Sequence, residues 1–212
     1  DLETAAMSAA LRSVQATLMR GGTSKGLVFR ESVLPPHGPA RDRVVLGAVR
    51  PDPTGMQLDG MGGGVSSTSK VVIVGPSEQP GADVDYTFGQ VSLRDQRVEW
   101  DQSCGNLSAA AGLFAVLEGL VARAPGETTR VNVWQTNTRS RMVIHVPPAD
   151  SAERISIPGV PGVGPPLYVE WVRPDVGRSG PVVERLAWRG GEVEASLVQC
   201  GNPSVVVRAA DL

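Results

Sequence analysis

The segment from Leu107 to Arg123 constrains the fold more than any other part of this 212-residue chain. Its residues, LSAAAGLFAVLEGLVAR, are apolar on most sides of a helix, and Pro125-Gly126 is expected to end that helix. A helix without a broad polar face has to be buried. The rest of the chain must therefore supply elements that enclose it.

Segments typical of β-strands lie on both sides of this helix. Lys70 opens the β-branched run Val71 to Val74, and Val84 to Leu93 alternates like a half-buried strand, so we expect these two to pair. Further strands are predicted over residues 14–18, 26–29 and 98–100, with a polar turn over 19–25, a hairpin of 129–136 and 141–146 across 137–138, and a short helix over 40–49. The pattern predicts an α+β domain with strands wrapped around one central helix.

The glycine- and proline-rich stretch from Pro158 to Pro166 breaks all periodicity. It predicts a boundary between an N-terminal domain, residues 1–157, and the start of a second domain, residues 158–212. Strands are predicted in the second part over 167–172, 193–198 and 204–207. This part is short for an independent core, so we expect it to lean on the first domain or to be incomplete.

Composition argues against several classes of partner. The formal charge is -2 and the pI is about 5.7, so no net positive field favours nucleic acid or an anionic membrane. No apolar run approaches the roughly 20 residues of a membrane-spanning helix. The first residues, DLETAAMSAALRS, lack the apolar core of a secretory signal, so we expect a cytoplasmic location.

Familiar metal and nucleotide motifs are absent from the sequence. The cysteines, Cys104 and Cys200, and the histidines, His37 and His145, do not occur at the short spacings of zinc sites, so no metal is expected. The glycines at 60–64 lead through a polar loop into a strand, whereas a dinucleotide fingerprint opens a helix. Neither a P-loop nor a G-x-S-x-G elbow occurs, so the sequence predicts neither a P-loop nucleotide site nor a serine-hydrolase triad.

Lysine usage singles out two positions. The chain has 18 arginines and two lysines, Lys25 and Lys70, and both lysines follow Thr-Ser. An ammonium can lose its proton, whereas a guanidinium stays charged. Lysine in an arginine-rich chain is therefore expected where proton transfer matters, although chance also explains two cases.

Two motifs combine reactive groups with anion-binding groups. Cys104-Gly105-Asn106 immediately precedes the apolar helix, where unsatisfied backbone N–H groups favour a thiolate or a bound anion. Ser66-Ser67-Thr68-Ser69-Lys70 places four hydroxyls beside an amine at the start of an apolar strand, where desolvation lowers a lysine pKa. An ordinary helix cap with a packed cysteine, and a solvated lysine at a strand end, are the structural alternatives.

Four segments resemble one known family. MRGGTSKG at 19–26, DGMGGGVSSTSKVVIV at 59–74, CGNLSAAAGLFA at 104–115 and GNPSVVVRAADL at 201–212 resemble the PrpF family. That family includes aconitate and methylaconitate isomerases and 4-oxalomesaconate tautomerase. The resemblance implies a diaminopimelate-epimerase-like fold with two similar domains and an active site in the cleft between them.

The resemblance also implies roles for the matching residues. Lys70 and Cys104 are expected to flank the substrate in a common cavity and to carry the proton transfers, with Lys70 as the base. The carboxylates of a small polycarboxylate are expected to be held by Arg20, Thr23, Ser24, Ser66, Ser67, Ser69, Gly105 and Asn106. The expected activity is a cofactor-independent proton shift on a di- or tricarboxylate, and a homodimer is an allowed assembly.

The chain departs from the family by stopping where the second domain begins, so we expect it to be inactive alone. Cys200 is followed by Gly-Asn, as Cys104 is, but no catalytic role is carried over to it. Two other functions stay open: a cysteine-pair racemase or epimerase, which needs a second catalytic cysteine, and a non-catalytic carboxylate-binding domain. The sequence does not identify the polycarboxylate.

Overall fold

The structure, a computed structural model, describes residues 13–52, 54–172, 182–189, 191–200 and 202–211. These residues form eleven strands and two α-helices. The strands are β1 (Thr17–Gly21), β2 (Ser24–Arg30), β3 (Lys70–Pro76), β4 (Val84–Val91), β5 (Val98–Glu99), β6 (Thr129–Gln135), β7 (Ser140–Val146), β8 (Tyr168–Val172), β9 (Val182–Trp188), β10 (Gly191–Cys200) and β11 (Asn202–Val207). The helices are α1 (Pro39–Val49) and α2 (Gly105–Leu117), and single 3₁₀ turns cover Glu31–Val33, Ser66–Thr68 and Ala209–Asp211.

The first eight strands form one mixed sheet that curls around α2. Its order is β1-β2-β3-β4-β6-β7-β8, with β5 paired to β4. The β2–β3 and β4–β6 pairs are parallel, and the other pairs are antiparallel. Helix α2 contacts seven of these strands, which confirms the prediction of strands wrapped around a central helix.

Each face of the sheet carries its own apolar core. The face toward α2 contributes Val28, Val72 and Phe88 to a cluster that includes Cys104 and Leu107. The opposite face packs against α1. Strand alternation explains this division, because neighbouring residues of β2 and β3 point to different faces.

In the described part of the chain, no helix combines the length and apolar composition needed to cross a membrane.

Helix α2 ends earlier than its apolar run predicted. The expected end at Arg123 is wrong, because the helix stops at Leu117. Gly119 has a φ of 68°, its N–H bonds to the Val116 carbonyl, and the Leu120 N–H bonds to the Ala115 carbonyl. This is the hydrogen-bond pattern of a Schellman end, for which glycine is the favoured residue. The later apolar residues pack on the core without extending the helix.

The polar turn predicted over residues 19–25 is much shorter. Strands β1 and β2 form a hairpin in which Gly21 pairs with Ser24, so only residues 22–23 lie between them. Gly22 has a φ of 60°, which a residue with a side chain rarely adopts. Arg20, Ser24 and Lys25 are therefore strand residues.

The hairpin predicted around residues 137–138 is confirmed and is tied to β4. The Asn137 side chain accepts a hydrogen bond from the Phe88 N–H at 2.8 Å and donates to the Phe88 carbonyl at 2.9 Å. It also donates to the Trp100 carbonyl at 2.6 Å. This amide therefore ties the hairpin to β4 at the backbone of Phe88.

The strand predicted over residues 167–172 joins the first sheet. Residues Tyr168–Val172 form β8, which pairs antiparallel with β7. The partly buried side chains of Val169 and Trp171, and of Leu167 just before the strand, pack on the α2 core. The predicted strands at 193–198 and 204–207 are found within β10 and β11. Strand β9, which the sequence analysis missed, completes a separate antiparallel sheet in the order β11-β10-β9.

Candidate active site

The two lysines lie on opposite faces of the large sheet. Lys70 belongs to the face of Val72 and Val74, toward α2 and Cys104, because side chains alternate along β3. Alternation along β2 places Lys25 with Leu27 and Phe29, toward α1. The shared Thr-Ser-Lys sequence therefore does not give the two lysines a shared site.

The amine of Lys70 is enclosed by residues of β4. Lys70 and Gln90 are direct partners in the antiparallel register of β3 and β4, and the Lys70 Nζ donates to Gln90 Oε1. Nζ also lies 5.1 Å from the centre of the Phe88 ring, at a distance typical of a cation–π contact. On the other side, β2 presents Gly26, where a Cβ would lie 2.4 Å from the Lys70 carbonyl oxygen. The amine therefore lies in a half-buried position bounded by an amide and an aromatic ring.

Burial lowers the pKa of Lys70 below its ordinary value, because an ammonium is less stable away from water. The negative charge of a Cys104 thiolate acts in the opposite direction and raises this pKa. Burial is the larger effect.

Cys104 caps the N-terminus of α2. It has extended backbone angles, with φ -123° and ψ 104°, and its own side chain makes no capping hydrogen bond. The sequence analysis placed Gly105 and Asn106 before the helix, but they are its first two residues. The Cys104 side chain is 9% exposed, and its Sγ donates to Ser24 Oγ at 3.7 Å.

The hairpin turn between β1 and β2 packs directly on the start of α2. Asn106 Nδ2 donates to Thr23 Oγ1 at 2.8 Å and to Ser24 Oγ at 3.4 Å. A Cβ on Gly21 would lie 2.0 Å from the Asn106 carbonyl oxygen, so only glycine allows this approach. The structure thus brings Thr23, Ser24, Cys104 and Asn106 together, and their roles toward a substrate stay predictions.

The serines of the hydroxyl-rich segment before Lys70 differ in how deeply they are buried. Ser66, Ser67 and Thr68 form a 3₁₀ turn, with Ser66 exposed and Ser67 half-buried. Ser69 is fully buried, and its hydroxyl has no hydrogen-bond partner among the described residues. The carbonyls of Ser66 and Ser69 both accept hydrogen bonds from Gln90 Nε2. This amide, rather than the serine hydroxyls, connects the turn to Lys70.

A cleft of about 450 Å³ opens beside the start of α2. Three of the predicted substrate-binding residues, Arg20, Gly105 and Asn106, line it, and the opposite wall is the apolar segment from Ile155 to Val169. Arg20 donates to the Thr23 carbonyl at 3.0 Å. Among the described residues, neither Lys70 nor Cys104 lines this cleft, so a cavity common to both side chains stays a prediction.

Sequence analysis missed two residues that support the candidate site. Gln90 was read as one polar position of an alternating strand, and only the register with β3 reveals its contact with Lys70. Tyr86 is fully buried, and its hydroxyl donates to the Cys104 carbonyl at 3.1 Å. Burial raises the pKa of Tyr86 above its ordinary range, with a smaller contribution from the Cys104 charge. Tyr86 therefore stays protonated and supports the helix cap.

Other candidates contribute nothing visible to the site. Among the described residues, no three His, Cys, Asp or Glu side chains form a group that fits a metal ion. The side chain of Cys200 lies outside the described residues. His145 faces Glu170 at 3.3 Å across β7 and β8, as a structural pair would.

Comparisons with known proteins identify relatives of this chain. The chain is 40% identical to the 2-methyl-aconitate isomerase of Shewanella oneidensis, over 94% of this chain and 56% of that protein. It is 43% identical to the 4-oxalomesaconate tautomerase of Pseudomonas putida, over 92% of this chain and 55% of that protein. The chain thus spans a little over half the length of these relatives.

A solved structure shares the fold. The crystal structure of methylitaconate-delta-isomerase matches with a TM-score of 0.74 and 37% identity, over 93% of this chain and 53% of that chain. The model of the family described as "PrpF protein" matches residues 11–212, nearly the whole sequence. The chain therefore belongs to the PrpF family.

Proposed function

We propose that this chain carries the Lys70–Cys104 half of the active site of an isomerase or tautomerase. The reaction is a cofactor-independent proton shift on a small unsaturated di- or tricarboxylate of the aconitate, methylaconitate or oxalomesaconate class. The observation that supports it best is the half-buried Lys70 amine, held by Gln90 and Phe88 on the sheet face that packs on α2, which has Cys104 at its start. The names of the related isomerases and tautomerases support the same reaction class.

The proposed chemistry is a proton transfer between two carbons. The neutral Lys70 amine takes a proton from a carbon beside a carboxylate or carbonyl, and the electrons of the broken C–H bond move into an enolate-like system. The Cys104 thiol then donates its proton to the other end of that system. Lys70 is left as an ammonium and Cys104 as a thiolate, and proton exchange through solvent restores both.

The developing negative charge needs fixed donors. Helix α2 begins with the amides of Gly105 and Asn106, the Cys104 side chain makes no capping hydrogen bond there, and the positive end of the helix favours an anion. Arg20 lines the adjoining cleft and is suited to bind a second carboxylate. Thr23, Ser24, Ser66 and Ser67 supply further hydroxyls, whereas the buried Ser69 is suited to support the turn.

The proposed architecture is a diaminopimelate-epimerase-like fold. Residues 1–157 form its first domain, and residues 158–212 begin the second. The mixed sheet curled around α2 supports the first part of this proposal. Strand β8 lies beyond residue 157 but pairs with β7, so the second segment contributes one strand to the first sheet.

The test is an assay of the protein that carries this chain, with 2-methylaconitate, aconitate and 4-oxalomesaconate as separate substrates in deuterated water. We expect turnover of at least one acid, with solvent deuterium appearing at the carbon that gains a proton. Tight binding of all three acids without turnover or exchange would contradict the proposal and favour a carboxylate-binding domain. Stereochemical inversion at one carbon without a shift of the double bond would favour an epimerase.

A further inference from the structure

Gln90 holds the Lys70 amine from a fixed position. Its Nε2 donates to the carbonyls of Ser66 at 3.2 Å, Ser69 at 3.1 Å and Val91 at 3.3 Å. Only the NH₂ end of the amide can donate to these oxygens, so the orientation of the side chain is determined. Its oxygen, Oε1, therefore points away from them and accepts the hydrogen bond from Lys70.

We propose that Gln90 is a positioning residue that holds the Lys70 amine on the α2 face of the sheet, directed toward Cys104. This inference rests on the proposed role of Lys70 as the base. A lysine side chain has four rotatable bonds and is poorly ordered without contacts at its end. Among the described residues, the contacts of Nζ are Gln90 and the ring of Phe88, and Phe88 supplies no directional hydrogen bond.

The neutral charge of Gln90 matters as much as its geometry. A carboxylate at this position would form an ion pair with the ammonium and raise the pKa of Lys70, which would oppose its use as a base. An amide oxygen accepts a hydrogen bond without a full negative charge. Glutamine thus orients the amine without adding a negative charge that would oppose the effect of burial, which favours the neutral form of Lys70.

The test compares Gln90→Glu with Gln90→Met, two replacements of nearly equal length. Both remove the Nε2 donors to the turn, so any purely structural loosening is common to them. The two replacements differ in charge, because glutamate places a carboxylate beside the Lys70 ammonium and methionine does not. We expect Gln90→Glu to raise the pKa of Lys70 by about one pH unit or more, and Gln90→Met to lower it.

The measurement exploits the low lysine content. The chain has two lysines, so Lys25→Arg leaves Lys70 as the one remaining lysine, and its ¹³Cε resonance can be titrated directly by NMR in the 212-residue chain. Gln96→Glu and Gln96→Met are matched controls, because Gln96 is exposed in the β4–β5 connection. Both control variants should leave the titration of Lys70 unchanged.

Activity gives the second measurement. In the protein that turns over substrate, the acidic limb of the kcat/KM profile should move to higher pH in Gln90→Glu and to lower pH in Gln90→Met. At its own optimum, Gln90→Met should retain less than about a tenth of kcat, since the base is no longer directed.

The outcomes distinguish the proposed role of Gln90 from the proposed isomerase or tautomerase reaction. Unchanged titration of Lys70 in both Gln90 variants, or shifts in the same direction, would overturn the role of Gln90. Opposite shifts in a protein that turns over none of the three acids would support the contact and contradict the proposed reaction. If Gln90→Met fails to fold, Gln90→Glu alone still tests the role of Gln90. An unchanged Lys70 titration in the Gln90→Glu variant would contradict that role.

Discussion

At the residue scale, two lysines with the same preceding Thr-Ser have different surroundings. Sequence analysis identified both as unusual in an arginine-rich chain, and it could not separate them, because the separation depends on which face of a strand each occupies. Lys70 lies on the α2 face with Cys104, and Lys25 lies on the α1 face. Lys25 is thus a natural control for experiments on Lys70.

Replacing Lys70 by arginine should harm catalysis nearly as much as replacing it by alanine. Arginine keeps a positive charge for a polycarboxylate but does not lose its proton near neutral pH. We expect kcat to fall by about 10²- to 10⁴-fold in both variants, the range typical of a lost general base. Steady-state kinetics of the catalytically active protein will measure this, with Lys25→Arg expected to stay near the wild-type rate. Near-normal kcat with a raised KM in Lys70→Arg would make Lys70 a binding residue.

Replacing Cys104 by serine should lower the pKa of Lys70 further. Burial already lowers this pKa, and the Cys104 charge is the opposing effect that the substitution removes. We expect a lower titration midpoint for Lys70 by NMR on the Lys25→Arg background. Because the amine is the basic form, Lys70 would then be neutral down to a lower pH. An unchanged or higher midpoint would show that the thiolate charge does not reach Lys70.

At the element scale, the sequence predicted the type of most strands and helices correctly. It predicted their boundaries less well. The core strands, α1 and the β6–β7 hairpin follow from apolar alternation and local turn residues. The end of α2 was missed because Leu120 and Val121 continue the apolar pattern, while Gly119 alone carries the stop. The wrong extent of the first turn has a similar cause, because polar strand residues at 20–25 look like a loop until their pairing is known.

The close packing of β1 on α2 can be tested with two Gly→Ala substitutions. In Gly21→Ala the new methyl group would lie 2.0 Å from the Asn106 carbonyl oxygen, so β1 and the helix start must move apart. We expect the free energy of unfolding to fall by about 1–3 kcal/mol and kcat/KM to fall with it. Urea denaturation and steady-state kinetics will measure both.

Gly47→Ala is the matched control in α1, where nothing lies within 4 Å of the added methyl group. Alanine is the better helix former there, so a gain of about 0.5–1 kcal/mol is expected with unchanged activity. Equal effects of the two substitutions would show that the contact between Gly21 and Asn106 is not tight.

At the scale of the whole molecule, the candidate site could be predicted in part. The cysteine at a helix start and the hydroxyl-rich lysine segment were recognisable as motifs, because each is local in sequence. Gln90 and Tyr86 were not, because their roles depend on contacts with residues 18 or more positions away. The membership of β8 in the first sheet also depends on long-range pairing, and local composition carries no signal for it.

The contribution of β8 can be measured by comparing a chain that ends at residue 157 with one that ends at residue 172. The longer form keeps Leu167, Val169 and Trp171 on the α2 core. Burial of these partly exposed side chains should make it more stable by about 3 kcal/mol. Chemical denaturation of both forms will test this, with hydrogen exchange in β7 as a local measure. Equal stability would support residue 157 as the domain boundary.

The contact between the first hairpin and α2 has a consequence for folding kinetics. Asn106 and Thr23 are 83 residues apart, and Cys104 and Ser24 are 80 residues apart. Closing such long loops has an entropic cost that must be met before these contacts stabilise the chain, which slows folding. During refolding, the contact between Cys104 and Ser24 is therefore expected to form after the local hairpins and helices.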